Sequence, residues 1–357
     1  MKWLHILALL FASAAAFGQN LTAFSDYQDH FYIFDDGVSA QREYQPIKSF
    51  KSGGKCLAYV DNLGKFKIYF NGEIKELERF NIGNYAVTEN LVVYKVDQEL
   101  LVFDNGKVKS LSYYPAFYGV GDSIVAYLDR ASKYLKVYYN GNITPIADGL
   151  VSVPAKSLRV GDNNVAFVDS EDKLYLFYKG RIEELIYNPL SFRVSLNTAA
   201  FVDASSGEFG IFHKGEIYEA ETFQPASYKM GDDLVAYVDE SGSFKVFFNG
   251  EVNIISSFEP EFYKVIDDMV IYGENSFFKV YYQGEEYTLE NYIPVKFYAD
   301  EATLAYIDQL GFLQCFYKGE THALSDEAVR EITVAGNTVA YKVGLNTNKV
   351  FCKGQIY

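Results

Sequence analysis

The sequence predicts an all-β protein, a β-propeller of about eight or nine four-stranded blades, and three observations carry that expectation. A module of about 35 residues recurs along the chain, each copy holds a tight turn ending in glycine, and both faces of its strands are apolar or amphipathic. A sheet of that size with two apolar faces cannot bury itself. Stacking on identical neighbours buries every copy except the two at the ends, and closing the array into a ring removes the ends too. An open array of β-hairpins, of the WG-repeat kind, is the alternative architecture.

The chain starts with what reads as an export signal. Lys2 supplies the positive start, Leu4 to Ala16 an apolar run, and Ala16-Phe17-Gly18 a small-x-small cleavage site. Residues 1–18 are therefore expected to be removed, leaving 19–357 as a single repeat domain that is periplasmic or secreted from a bacterial cell. The apolar run is shorter than the roughly 20 residues a membrane-spanning helix needs, and no other stretch approaches that length. No Cys follows the cleavage site, so no lipoprotein-type anchor is expected.

Within the module the second strand carries a small residue followed by an aromatic, nine times between Tyr59 and Tyr341, seven of them after Ala. The third strand ends in a turn glycine, ten times between Gly37 and Gly354, with Phe or Tyr three residues earlier in every copy. Tyr69, Tyr138, Phe177, Phe212, Phe247, Tyr281 and Phe316 belong to that set and are expected to anchor the core. Four turns are Asn-Gly and one is Asp36-Gly37. A two-residue type I′ hairpin needs positive φ at both positions, which these residues tolerate. Pro46, Pro115, Pro189, Pro225, Pro260 and Pro294, with Pro154, mark the connection between modules, where no ladder hydrogen bond is lost. Phe31 to Tyr44 read as a third and fourth strand, so the chain starts mid-module, which leaves open an interlocked closure using both termini.

The module resembles that of exported bacterial β-propeller repeat proteins, in the broad sense shared by TolB-like and WD40-like groups. The Val-Ala-Tyr-Val-Asp run at Val235 to Asp239 is similar to the second strand of such blades. Two departures are the repeat length, usually 40 or more in those proteins, and the absence of a blade Trp, since Trp3 lies in the signal segment.

Charge and cysteine usage narrow the function classes. A net charge of −15 with Lys and Arg spread through every repeat argues against nucleic acid as a partner, which calls for a concentrated basic surface. Cys56, Cys315 and Cys352 are too few and too scattered for a disulfide framework; they read as buried hydrophobes, with a pairing of Cys56 left open. No metal is expected, because His5, His30, His213 and His322 share no ligand spacing. No nucleophile elbow, phosphate loop or dinucleotide fingerprint is present, so no catalytic residue and no cofactor is assigned.

The acidic residues at the end of the second strand, such as Asp61, Asp129, Asp169 and Asp239, recur at one module position and read as turn-formers rather than calcium ligands or general acids. Asp122, Asp162, Asp232 and Asp267, in the first turn, are read the same way. The candidate ligand or partner surface comprises the first-strand cations Lys51, Arg159, Arg193, Lys229 and Lys264, expected near the axis and paired with neighbouring aspartates. The boundary-loop aromatics Tyr113, Tyr114, Tyr187, Phe262, Tyr263, Tyr292 and Tyr298 complete it as an exposed rim. These features favour a monomeric, non-enzymatic binding or scaffold protein whose partner is an envelope protein or glycan. A glycan- or small-ligand-binding propeller is the alternative, and a propeller hydrolase or lyase the third reading.

Overall fold

Short runs of aromatic and β-branched residues, cut every five or six positions by glycine, Asn or Asp, favour strands joined by tight turns. The computed structural model describes residues 20–78, 82–148 and 157–357, and every helix or strand among them is a β-strand. The expected signal segment 1–18 and Pro154 lie outside the described residues.

The strands form ten antiparallel sheets in chain order, nine of four strands and one of three. We number them as blades: blade 1 spans 21–43, blade 2 49–78, blade 3 82–113, blade 4 117–147, and blade 5 158–187. Blades 6 to 10 span 189–221, 227–256, 262–290, 297–325 and 329–356. Blade 7 shows the plan: an inner strand Ser227–Met230, a second strand Leu234–Val238, a third strand Phe244–Phe248 and an outer strand Glu251–Ser256, hydrogen-bonded in that order. Because neighbours run antiparallel, the first and third turns lie at one end of the ring, and the second turn and the boundary loop at the other.

One sequence expectation is corrected here, and one open alternative is decided. The ring has ten blades, not eight or nine, because Ala23-Phe24 is a tenth small-aromatic pair that the count of nine omits: Ala23 pairs with Ile33 as Ala58 pairs with Ile68. Nor, among the described residues, do strands from the two ends of the chain share a sheet. Blade 1 is built from the first three described strands and blade 10 from the last four. The seam between them is face-to-face packing of Phe34 and Phe24 on Ala340, Val350 and Cys352, joined by Phe34 against Tyr357 and by a Lys353 Nζ to Asp36 Oδ1 bond of 2.6 Å. Among the described residues blade 1 has no inner strand.

Each interface between consecutive blades holds its own apolar cluster. Phe244, Val246 and Phe248 face blade 8, packing near Tyr263, Val270, Tyr272 and Tyr281, while Phe247 faces blade 6 among Ala200, Val202 and Phe209. The third-strand anchors Tyr69, Tyr138, Phe177, Phe212, Phe247, Tyr281 and Phe316 are all buried. So are the three cysteines, all of them free thiols. Burial pushes the Cys56 and Cys315 thiols up to about 12. The glycine turns have positive φ at both central residues, as at Asn71 (51°) and Gly72 (83°), the conformation of a type I′ hairpin.

Candidate functional site

The inner strands of consecutive blades touch around an axial channel, so whatever side chains they carry at that edge line it. Five cations stand at one register position there, each opposite the small or aliphatic residue of the second strand, as Lys51 faces Ala58 and Lys229 faces Ala236. Arg159, Arg193 and Lys264 occupy the same place in blades 5, 6 and 8. In blades 3, 4, 9 and 10 the position holds Ala86, Gly119, Tyr298 and Thr333. Four cations therefore sit on four consecutive blades, with Lys51 apart from them.

For four of these five cations the expected pairing with aspartates is not what forms. Among the described residues no ion pair involves Lys51, Arg193, Lys229 or Lys264; each instead lies over the aromatic ring of the next blade's inner strand. Lys51 Nζ is 5.2 Å from the Tyr85 ring centre, Arg159 Cζ 5.5 Å from Phe192, and Arg193 Cζ 5.4 Å from Tyr228. Lys229 Nζ is 4.2 Å from Tyr263 and Lys264 Nζ 4.4 Å from Phe297. Attraction of a cation to an aromatic face holds each of these groups against the neighbouring blade. Lys51 also donates to the Tyr85 carbonyl at 2.8 Å, and Lys229 to that of Tyr263. Burial, then the Arg193 and Lys264 charges, holds the Lys229 ammonium below its ordinary pKa.

This arrangement moves Tyr263 out of the exposed rim: it is buried under Lys229, its hydroxyl 2.8 Å from Ser227 Oγ. Phe262 is half-buried, and Tyr292 is half-buried with its hydroxyl accepting the Gln309 N–H. Tyr298 is exposed but lies on the blade 9 inner strand, at the cation position. Tyr113, Tyr114 and Tyr187 are exposed at the boundary-loop end, at 63%, 58% and 61%. Tyr44, Phe223 and Phe258 stand at similar places and were missed in the sequence reading, although each falls two residues before a blade-boundary proline.

The other mouth of the channel is acidic. The first turns bring Glu89, Asp122, Asp162, Asp232, Asp267 and the pair Asp300 and Glu301 to one cavity. Several carboxyls at this mouth reach across to another blade. Asp300 Oδ2 accepts the Gly336 N–H of blade 10, Asp268 Oδ1 the Asp233 N–H of blade 7, and Asp162 Oδ2 the Ser195 hydroxyl of blade 6. Burial first, and then the neighbouring carboxylates, pushes Asp232 up to about 9 and Asp122 and Asp267 to about 7. Burial together with the Glu301 charge pushes Glu89 to about 9. Among the described residues no group of three His, Cys, Asp or Glu side chains is placed to hold a metal ion.

The second-strand carboxylates differ. Asp61 Oδ1 accepts the Leu63 and Lys65 N–H groups at 3.0 and 2.8 Å, and Asp308 Oδ1 those of Leu310 and Phe312 at 2.9 and 2.8 Å. They shape the second turn. His213 is buried edge-on to Phe247, and burial lowers its pKa.

Ten radial four-stranded or three-stranded sheets around an axial channel define a β-propeller. A family model described as the 10-bladed beta propeller domain matches residues 15–357, and the chain belongs to that family. No curated protein matches the sequence. Among solved structures, a eukaryotic initiation factor is 11% identical, with 84% of this chain and 94% of that one covered and a TM-score of 0.47. The computationally designed Ika8 protein is 15% identical over 76% and 96%, with a TM-score of 0.36. The CRINKLY WD40 ectodomain of an Arabidopsis thaliana receptor kinase is 9% identical over 78% and 95%, at 0.35. These are loose likenesses of chain path and carry no functional argument.

Proposed function

We propose that this propeller is a non-enzymatic binding protein, exported to the bacterial envelope or beyond it, that presents its boundary-loop end to another protein. One observation carries the reading: Tyr44, Tyr113, Tyr114, Tyr187, Phe223 and Phe258 are more than half exposed, and all lie at the end of the ring opposite the acidic mouth. Large aromatics exposed in number on one face mark interaction surfaces, where they supply contact area at low entropic cost. The core does not need them, since the blade clusters form without them. The regularity of the repeat supports a scaffold, because sites of hydrolysis or elimination on propellers call for irregular insertions and only the interval before Gly180 is longer.

The test is capture of partners from a cell-envelope extract with tagged protein, beside a Tyr187→Ser, Phe223→Ser, Phe258→Ser variant of unchanged melting temperature. A stoichiometric protein held by the parent and lost by the variant is the expected result. A protein held equally by both, or recovery of a glycan instead, sinks the proposal.

A further inference from the structure

At the end of the ring that holds the third turns the module favours acid, and blades 2 and 3 depart from it. The residue after the turn glycine is Glu in blades 2, 6, 7, 8 and 9, but Lys107 in blade 3. The residue before the second strand is neutral or acidic in every other blade, but Lys55 in blade 2. Blades 7 and 8 pack on one another with Glu251, Glu285, Asp233 and Asp268 in those places, so the fold does not call for cations there.

Lys55, Lys107 and Lys109 line one cavity of 680 Å³ in the groove between blades 3 and 4. Leu91, Val108 and Tyr138 supply apolar contact there, and Asn90, Asn105, Asn140 and Ser123 supply amide and hydroxyl groups. Lys109 is fixed in place: its Nζ donates to the Gly141 carbonyl at 2.7 Å and stands 5.6 Å from the Tyr138 ring centre. Lys55 comes from the first turn of blade 2, and its N–H donates to the Glu89 carbonyl at 3.0 Å. Among the described residues no ion pair involves any of the three lysines, and Asp104 is the one carboxylate that lines the cavity. Asp104 accepts the Tyr138 hydroxyl at 2.7 Å and the Asn105 amide at 2.8 Å. The cavity adjoins the acidic mouth at Lys55 and Asn90, where burial, then the Glu301 charge, pushes Glu89 to about 9, so that group carries little charge in neutral solution.

We propose that this groove binds a sugar phosphate, its phosphate monoester held by Lys55, Lys107 and Lys109 and its hydroxyls by the surrounding amides. Three ammonium groups against one carboxylate leave an excess of two positive charges, and a phosphate monoester carries about −1.5 to −2 at pH 7. Lysine meets phosphate as a mobile point charge with three donors, of which Lys109 spends one on Gly141. Asparagine side chains both donate and accept, which suits hydroxyls. The cavity volume lies within the range of small-molecule sites, about 300–1,000 Å³, and leaves room for a body beside the phosphate. Across the same end of the ring stand Glu216, Glu251, Glu285 and Glu320, so an anion arriving there is steered toward blades 3 and 4. This site lies at the opposite end from the aromatic rim and does not depend on the protein-partner reading.

The experiment is calorimetric titration of the full mature chain at low salt with glucose 6-phosphate, with glucose and inorganic phosphate as the two halves of that probe. Glucose 6-phosphate is expected to bind tighter than about 1 mM, glucose not measurably, and inorganic phosphate at least about threefold more weakly than the ester. Lys55→Gln and Lys107→Gln, both exposed positions, are each expected to weaken the ester at least about fivefold, whereas the equal charge change in Lys296→Gln, in a boundary loop at the other end, leaves it within about twofold. Asn140→Ala is expected to weaken glucose 6-phosphate and leave inorganic phosphate unchanged. Far-ultraviolet circular dichroism of each variant, matching the parent, shows that the fold is kept. No binding of glucose 6-phosphate, an affinity no better than that of inorganic phosphate, or equal affinity in the parent, Lys55→Gln and Lys107→Gln overturns the proposal. Sugar-phosphate binding that persists in the Tyr187→Ser, Phe223→Ser, Phe258→Ser variant separates this site from the rim, and its loss there overturns the placement.

Discussion

The two ends of one strand in blade 7 carry the same residue type in opposite circumstances. At the end of Leu234–Val238, Asp239 is partly desolvated, yet Lys245, the Ser241 hydroxyl and the Ser243 N–H outweigh that and hold its carboxyl down to about 2. At the start, Asp232 is buried and faces Asp267, Asp162 and Asp122, and burial and then those charges push it to about 9. The first carboxylate is part of the frame that shapes a turn. The second is one of a ring whose members disfavour one another's charge. The difference teaches that recurrence in the module marks a structural part only when each copy is satisfied inside its own blade or by the next.

Breaking the strand core between these ends sets the largest scale. Phe247→Ala is expected to cost about 3–5 kcal/mol in urea denaturation, because its ring is buried among blade 6 residues. An unchanged curve would contradict that burial. Next comes the satisfied end: Asp239→Ala removes the acceptor of the turn and one of the two carboxylates paired with Lys245, the other being Glu221, and about 1–3 kcal/mol of lost stability at pH 7 is expected. A comparable loss in Lys245→Met would tie the effect to the ion pair.

At the acidic end, Gly231→Ala probes how closely the turns approach. A β-carbon there would collide with the Asp267 carbonyl oxygen, which also accepts the Asp232 N–H at 3.1 Å. A loss of about 1–3 kcal/mol is expected from such overpacking. No loss would mean the turns can part. The smallest effect is expected at the seam, where Lys353→Ala removes an exposed pair with Asp36 and should change stability by less than about 1 kcal/mol. A larger change would show that the seam depends on that pair.

Much of this was legible because the repeat writes local chemistry into each copy. The hairpin glycines, the aromatic three residues before them and the second-turn carboxylates act within one hairpin, so sequence spacing locates them. The cations were placed on the right strand, but their partners were misassigned, since the ring under Lys51 is Tyr85, one whole module away. A signal was present: Phe192-Arg193, Tyr228-Lys229 and Tyr263-Lys264 repeat an aromatic-cation pair in which each cation meets the aromatic of the following copy. The acidic mouth was invisible for a related reason. Asp232 and Asp239 look alike in sequence, and only ring closure brings the first turns of separate blades to one cavity. The blade count failed on Ala23-Phe24, which lies in the incomplete first module.

The comparison is tested most directly by measuring stability against pH in the parent and in Asp232→Asn. Asp232, Asp122 and Asp267 have folded values raised above the ordinary 3.8, so their contribution is fully present below about pH 4 and is lost as pH rises through 7 to 9. Asp239, depressed to about 2, contributes above about pH 4 and loses that contribution only as pH falls toward 2. The account therefore predicts a parent more stable at pH 5 than at pH 8.5, and a smaller fall in Asp232→Asn. Equal stability at both pH values, or the same fall in both proteins, would contradict it.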